Sequence, residues 1–173
     1  MTAYRIKYFL SLAIYTMVCV FVLLLQSTGI MTLQLGHASA VLILPMVLYC
    51  GFYFGEYAGA VIGLFSGAIT DSYSATFTYS TVALTVLGFA AGIVMSRLFN
   101  RNIAAAAVLN FVASFAYFFT KWVTVYAFSD PKPLFVLFNF TLPSVIYTAA
   151  IGFVVFFAMN PIFRNLPKNS VNR

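Results

Sequence analysis

The chain has 173 residues, 63% of them hydrophobic and 7% charged, with a mean hydropathy of +1.00 and a formal net charge of +6. A soluble domain carries about 25% charged residues, so this composition excludes a self-sufficient wettable surface and leaves a polytopic helical membrane protein. Its apolar runs are long and unbroken, which excludes a transmembrane barrel, and its positive residues sit at the ends of those runs, a topology signal rather than a nucleic-acid footprint.

A spanning helix needs roughly 20 apolar residues. The first span is expected near residues 7–26. It resembles a signal peptide in position, but its apolar stretch Tyr8 to Leu25 is long enough to cross and no small-x-small cleavage site closes it, so it reads as a retained helix. Residues 38–70 form one apolar run broken only by Glu56. As a single helix that run would reach ~50 Å, against a hydrocarbon core of ~30 Å. Two short helices near 38–54 and 57–72, with a tight turn at Gly55-Glu56, fit better; both are near minimum length, so a tilted, re-entrant or interfacial segment is open for one of them.

Further spans are expected near 79–96, 103–127 and 136–160, giving an all-α single transmembrane domain over 1–173 with about six helices; five is the fallback count. Pro131 and Pro133 fit a loop, Pro143 kinks the last helix or marks its delayed start, and Pro161 and Pro167 read as helix stops. Cys19 and Cys50 lie inside apolar runs without CxxC spacing and read as buried thiols.

Charge placement orients the bundle. With the N-terminus inside, Arg5, Lys7, Arg97, Arg101, Arg164, Lys168 and Arg173 fall on the inner side with Glu56, while His37, Asp71, Asp130 and Lys132 fall outside. Positive residues favour the cytoplasm, so both termini are expected there, and an even span count follows. Trp122 and Tyr126 then lie near the outer interface; Lys121 beside them snorkels outward or meets a buried acid such as Asp71 or Asp130.

The stretch "GFYFGEYAGAVIGLFSGAITD" places Gly51, Gly55, Gly59, Gly63 and Gly67 at intervals of four and ends on Asp71. Small residues let membrane helices approach closely. Each four-residue step advances ~400°, so the stripe drifts ~40° per step and winds slowly around a helix. It serves packing within the bundle or a seam for another membrane protein, and the two can coexist. Asp71, at the expected outer end of its helix, can meet water or the N-terminus of the next helix. It is the stronger functional candidate of the two acids because Gly67 and its small neighbours would form a pocket, although a loop acid near water has the same sequence.

No catalytic constellation is present. There is one histidine, no P-loop, and no acidic, histidine or lysine row such as a proton relay uses. Glu56 and Asp71 lie at opposite ends of one span, too far apart to act as a pair. The halves show no internal repeat of the transporter type. A non-enzyme without metal or cofactor is expected.

"LLLQSTGI" closing the first span, the glycine run leading into Asp71, and "LPSVIY" with "NPIFRNL" near the end together resemble the rod shape-determining protein MreD family over nearly the whole chain. Gln26, the glycines from Gly55 to Gly67, Asp71, Pro143 and Ser144 carry the resemblance; where the family has a glycine-rich stretch after the aspartate, this chain has "SYSATFTYST". The resemblance implies a bacterial inner-membrane adaptor of lateral peptidoglycan synthesis. Such a protein binds MreC and through it associates with MreB, RodA and a class B transpeptidase, among membrane lipid and without nucleic acid; self-association is open to it. The family is similar in fold to the substrate-binding subunits of energy-coupling-factor vitamin transporters. That likeness supplies the second expectation, a vitamin pocket near the outer leaflet lined by Trp122 and Tyr126. A carrier of lipid-linked precursors would need interior basic residues, and Lys121 alone is thin support.

Overall fold

The computed structural model describes residues 2–27, 34–35, 38–73, 79–97, 103–126 and 133–163. His37, Asp130, Pro131, Lys132, Arg101, Arg164, Pro167, Lys168 and Arg173, which the sequence reading used, lie outside the described residues.

Helix α1 (Thr2–Ser27) buries a narrow stripe at a four-residue spacing, Tyr15, Cys19 and Leu23, and leaves Phe9, Met17 and Phe21 more than 60% exposed. It lies at the edge of the bundle against two later helices, α2 (Ile43–Phe54) and α3 (Glu56–Tyr73). The Tyr8 hydroxyl donates to the Phe54 carbonyl at 2.8 Å, and the Tyr15 hydroxyl donates to that of Met46.

Between α1 and α2 a short antiparallel pair, β1 (Gln34–Leu35) with β2 (Ala38–Ser39), is added to the expected helical architecture. Helix α2 accordingly begins at Ile43 rather than near 38. Pro45 marks that start: it has no N–H to donate and sits in the first turn, where no intrahelical acceptor is available. Every residue of α2 is buried. A helix that is apolar on all sides belongs in a core, and α2 touches α1, α3, α4, α5 and α7. At ~18 Å its length falls short of a full crossing.

Gly55 ends α2 at φ 101° and ψ 175°, a region open essentially to glycine alone. Its N–H bonds the Gly51 carbonyl at 3.0 Å, and its own carbonyl accepts from Gly59 at 3.0 Å, so one residue closes α2 and opens α3. Helices α3 and α4 (Ser80–Arg97) then form a tight antiparallel hairpin.

Helix α5 (Ile103–Lys121) runs on as a π-helical turn, Trp122–Tyr126. The last helical stretch begins with α6 (Pro133–Val136), widens into a π-helical turn at Leu137–Thr141 and continues as α7 (Leu142–Phe163). Pro133 therefore opens a helix instead of lying in a loop, a position suited to a residue without an N–H. Pro143 does not delay the start of the helical stretch, which already runs from Pro133. The wider turn before it, closed by the Leu142 N–H bonding the Leu137 carbonyl, relieves the clash a proline ring makes with the carbonyl four residues back. Pro161 does not stop the helix either, since α7 continues to Phe163.

The described chain is thus almost entirely helical, in six helical stretches. Three of them hold segments long and apolar enough to cross a membrane: Tyr8–Gln26, Ala104–Tyr126 and Leu134–Met159.

Candidate functional site

The glycine run is occupied by the bundle itself. A methyl group on Gly51 would meet the Gly88 carbonyl oxygen at 2.5 Å, and one on Gly59 would meet the same oxygen at 2.5 Å and the Gly51 Cα at 2.8 Å. Gly63 lies on the backbone of Leu84 and Thr85, and Gly67 on that of Ser80 and Thr81. On α4, Gly88 faces the Gly59 backbone and Gly92 faces Glu56. The stripe on α2 and α3 is therefore met by a second GxxxG pair, Gly88 and Gly92, and the backbones touch directly. Gly55 stands apart, with nothing within 4 Å of where its Cβ would be. It belongs to the turn.

Asp71 sits where α3 ends and α4 begins, 7% exposed. Its Oδ1 accepts from the Ser80 N–H at 3.0 Å; its Oδ2 accepts from the Thr81 N–H at 2.8 Å and the Thr81 hydroxyl at 2.6 Å. Of the two environments the sequence allows, the helix N-terminus is the one observed. The carboxylate satisfies amide groups that have no partner inside α4, and its negative charge faces the positive end of the helix dipole. The pocket expected above Gly67 is filled by the Ser80–Thr81 backbone. Both carboxylate oxygens are engaged, so Asp71 acts here as a clamp rather than as a free base. Tyr79 and Tyr117 extend the clamp to α5: the Tyr79 hydroxyl donates to the Tyr117 carbonyl at 2.7 Å, and the Tyr117 hydroxyl lies 3.3 Å from Ser80 Oγ.

Gln26 and Ser144 converge on a different element, the non-helical lead-in to α2. The Gln26 amide donates to the Ala40 carbonyl at 3.1 Å. Ser144 Oγ accepts the Ser39 N–H at 3.1 Å, and Thr148 Oγ1, one turn on, accepts the Val41 N–H at 3.2 Å. Ser39 is exposed, but Ala40 is buried and Val41 partly so. Irregular backbone in an apolar bundle is tolerated only where protein groups satisfy it, and side chains from α1 and α7 do so here. Pro143 lies beside Ser144 in the first turn of α7. Sequence reading missed Thr148, although it follows Ser144 by the four residues that keep two side chains on one helix face.

A second polar group joins α2, α5 and α7 deeper in the bundle. The Tyr49 hydroxyl donates to the Gly152 carbonyl at 2.9 Å, and the Asn110 amide donates to the Ala149 carbonyl at 2.9 Å.

The surface offers one further feature. Leu12, Thr16 and Val20 of α1 and Tyr57, Val61 and Phe65 of α3 line an apolar cleft of about 590 Å³ at the surface of the bundle. Tyr57 and Phe65 are 77% and 63% exposed, so its rim is built for an apolar surrounding. Trp122 is half-buried, its ring 5.8 Å from that of Phe119. No group of three or more metal-ligating side chains occurs among the described residues. Comparison with family models, with curated proteins and with solved structures finds no match to the chain.

Proposed function

We propose that the protein is a non-enzymatic, multi-pass adaptor of the bacterial cytoplasmic membrane that serves the cell-wall elongation machinery, with both termini cytoplasmic and six spans, of which the short α2 crosses together with its non-helical lead-in. The resemblance to the MreD family supplies the partners: MreC directly, and MreB, RodA and a class B transpeptidase through it. The observation that supports an adaptor is the apolar cleft between α1 and α3. With the glycines engaged inside the bundle, that cleft is the surface on which a partner's single transmembrane helix finds complementary apolar relief.

The test is a mild-detergent pull-down of the tagged chain from its native membranes, with partners identified by mass spectrometry, in parallel for the parent and for Val61→Trp, which fills the cleft. The adaptor reading expects MreC and the elongation synthases with the parent and their loss with Val61→Trp, at an unchanged melting midpoint. Recovery of an energy-coupling module with its ATPases overturns it in favour of a vitamin-binding subunit.

A further inference from the structure

Asn110 and Ser114 lie four residues apart on one face of α5 and are 1% and 0% exposed, and Asn110 meets α7. The Ala149 carbonyl takes the Asn110 Nδ2–H and thereby fixes which way the amide points. Gly152 leaves room for it, since a Cβ there would lie 2.6 Å from Asn110 Oδ1. With the amide held in this way, Asn110 Oδ1 and Ser114 Oγ are both buried without a protein partner. An acceptor in such a place loses its hydration with nothing in return. Side chains at this spacing have Cβ atoms ~5–6 Å apart, which two hydrogen bonds of ~2.8 Å through one small molecule can span.

We infer that Asn110 and Ser114 form an internal site for one water molecule at the α5–α7 interface, the water donating one hydrogen bond to Asn110 Oδ1 and the other to Ser114 Oγ. A neutral donor suits the surroundings better than a cation. The helices that meet here, α2, α5 and α7, carry no acidic residue to balance an ion's charge, and a buried water needs only two to four polar partners. Tyr49 and Thr148 satisfy other groups along the same seam directly, so the water completes a polar join whose remaining links are protein to protein.

The test is a double-mutant cycle on the full chain in detergent, read as the thermal midpoint with a thiol-reactive dye. Ser114→Ala is expected to lower the midpoint by about 2–4 °C in the parent, and to change it by no more than about 1 °C when Asn110→Ala is already present. A rise or no change in the parent means that the pair is dry, because removing an unsatisfied hydroxyl then relieves a penalty. An equal fall in both backgrounds means that Ser114 acts without Asn110. Either result overturns the site. Should Asn110→Ala not fold, water-to-protein polarisation transfer in solid-state NMR of the parent in liposomes takes its place. Transfer to Ser114 Cβ and Asn110 Cγ is expected, and its absence overturns the site. A midpoint that rises in sodium over choline chloride, and loses that rise in Ser114→Ala, assigns an ion and overturns the water.

Discussion

Replacing Gly59 by alanine adds one methyl group at the point where α2, α3 and α4 meet. The new carbon would lie 2.5 Å from the Gly88 carbonyl oxygen and 2.8 Å from the Gly51 Cα, and ordinary contact begins at 3.4 Å. A retreat of about 0.9 Å is therefore required, and a gap of that size forfeits a quarter to a half of each dispersion contact along the seam. Both obstacles are backbone, so no rotamer change relieves them. Overpacking of this kind costs about 1–3 kcal/mol, and the upper end applies where the neighbours are rigid. Alanine returns about 1 kcal/mol through its better helix propensity. The net loss is about 2 kcal/mol, or about 4–8 °C in the melting midpoint of a chain this size. Cys19 and Cys50 are both free and buried, so a thiol-reactive dye reports the transition directly. Val61→Ala, on the exposed side of the same helix, serves as control and is expected to move the midpoint little. An unchanged or higher midpoint in Gly59→Ala would refute the argument that the seam is held by backbone contact.

Gly55→Ala tests the turn by strain alone: nothing crowds the position, so its expected cost of about 1–3 kcal/mol arises from φ and ψ, and a midpoint like the control's removes the glycine requirement. Asp71→Asn keeps the shape but not the charge and is expected to lose about 1–2 kcal/mol, less than Asp71→Ala; equal losses would mean that the charge contributes nothing. Thr148→Val keeps shape and removes the acceptor for the Val41 N–H, with an expected loss of about 1–3 kcal/mol in the same assay, and a neutral result would show that this amide needs no partner. In cells, Asp71→Ala is expected to impair growth and rod shape more than Glu56→Ala, and identical morphology for the two would end the distinction between the acids.

The helical character of the chain and its helical stretches were legible because hydrocarbon leaves a backbone few other solutions and the apolar runs are long. The close approach encoded by Gly59, Gly63 and Gly67 was legible as a capacity, but its partner was not. The pair Gly88 and Gly92 carries the same spacing once and drew no attention beside the longer run. Asp71 was legible as an acid at a helix end, and the choice between water and a helix dipole required the geometry of Ser80 and Thr81. The start of α2 was misplaced because apolarity continues through residues 38–42, whereas Pro45 and the β pairing decide where helix begins. Gln26 and Ser144 entered only through resemblance. Their shared target, the backbone of Ser39 to Val41, lies 14 residues from Gln26 and 105 from Ser144, and has no local signature.

That collar has a consequence for how the protein is made. The bonds Ser39 to Ser144, Val41 to Thr148 and Tyr49 to Gly152 link residues 105, 107 and 103 positions apart. During synthesis α2 emerges early, yet its lead-in amides and the Tyr49 hydroxyl wait for α7 through the whole of α3, α4 and α5. A nascent chain that stops before Ser144 carries a short helix with unmet polar groups, poorly suited to hydrocarbon, whatever the quality of its earlier packing. Helix α7 is thus the clasp of the assembly. Its arrival distinguishes a chain whose α2 polar groups are met from one whose are not, and chains ended before Ser144 should be cleared by membrane proteases that leave chains containing α7 alone.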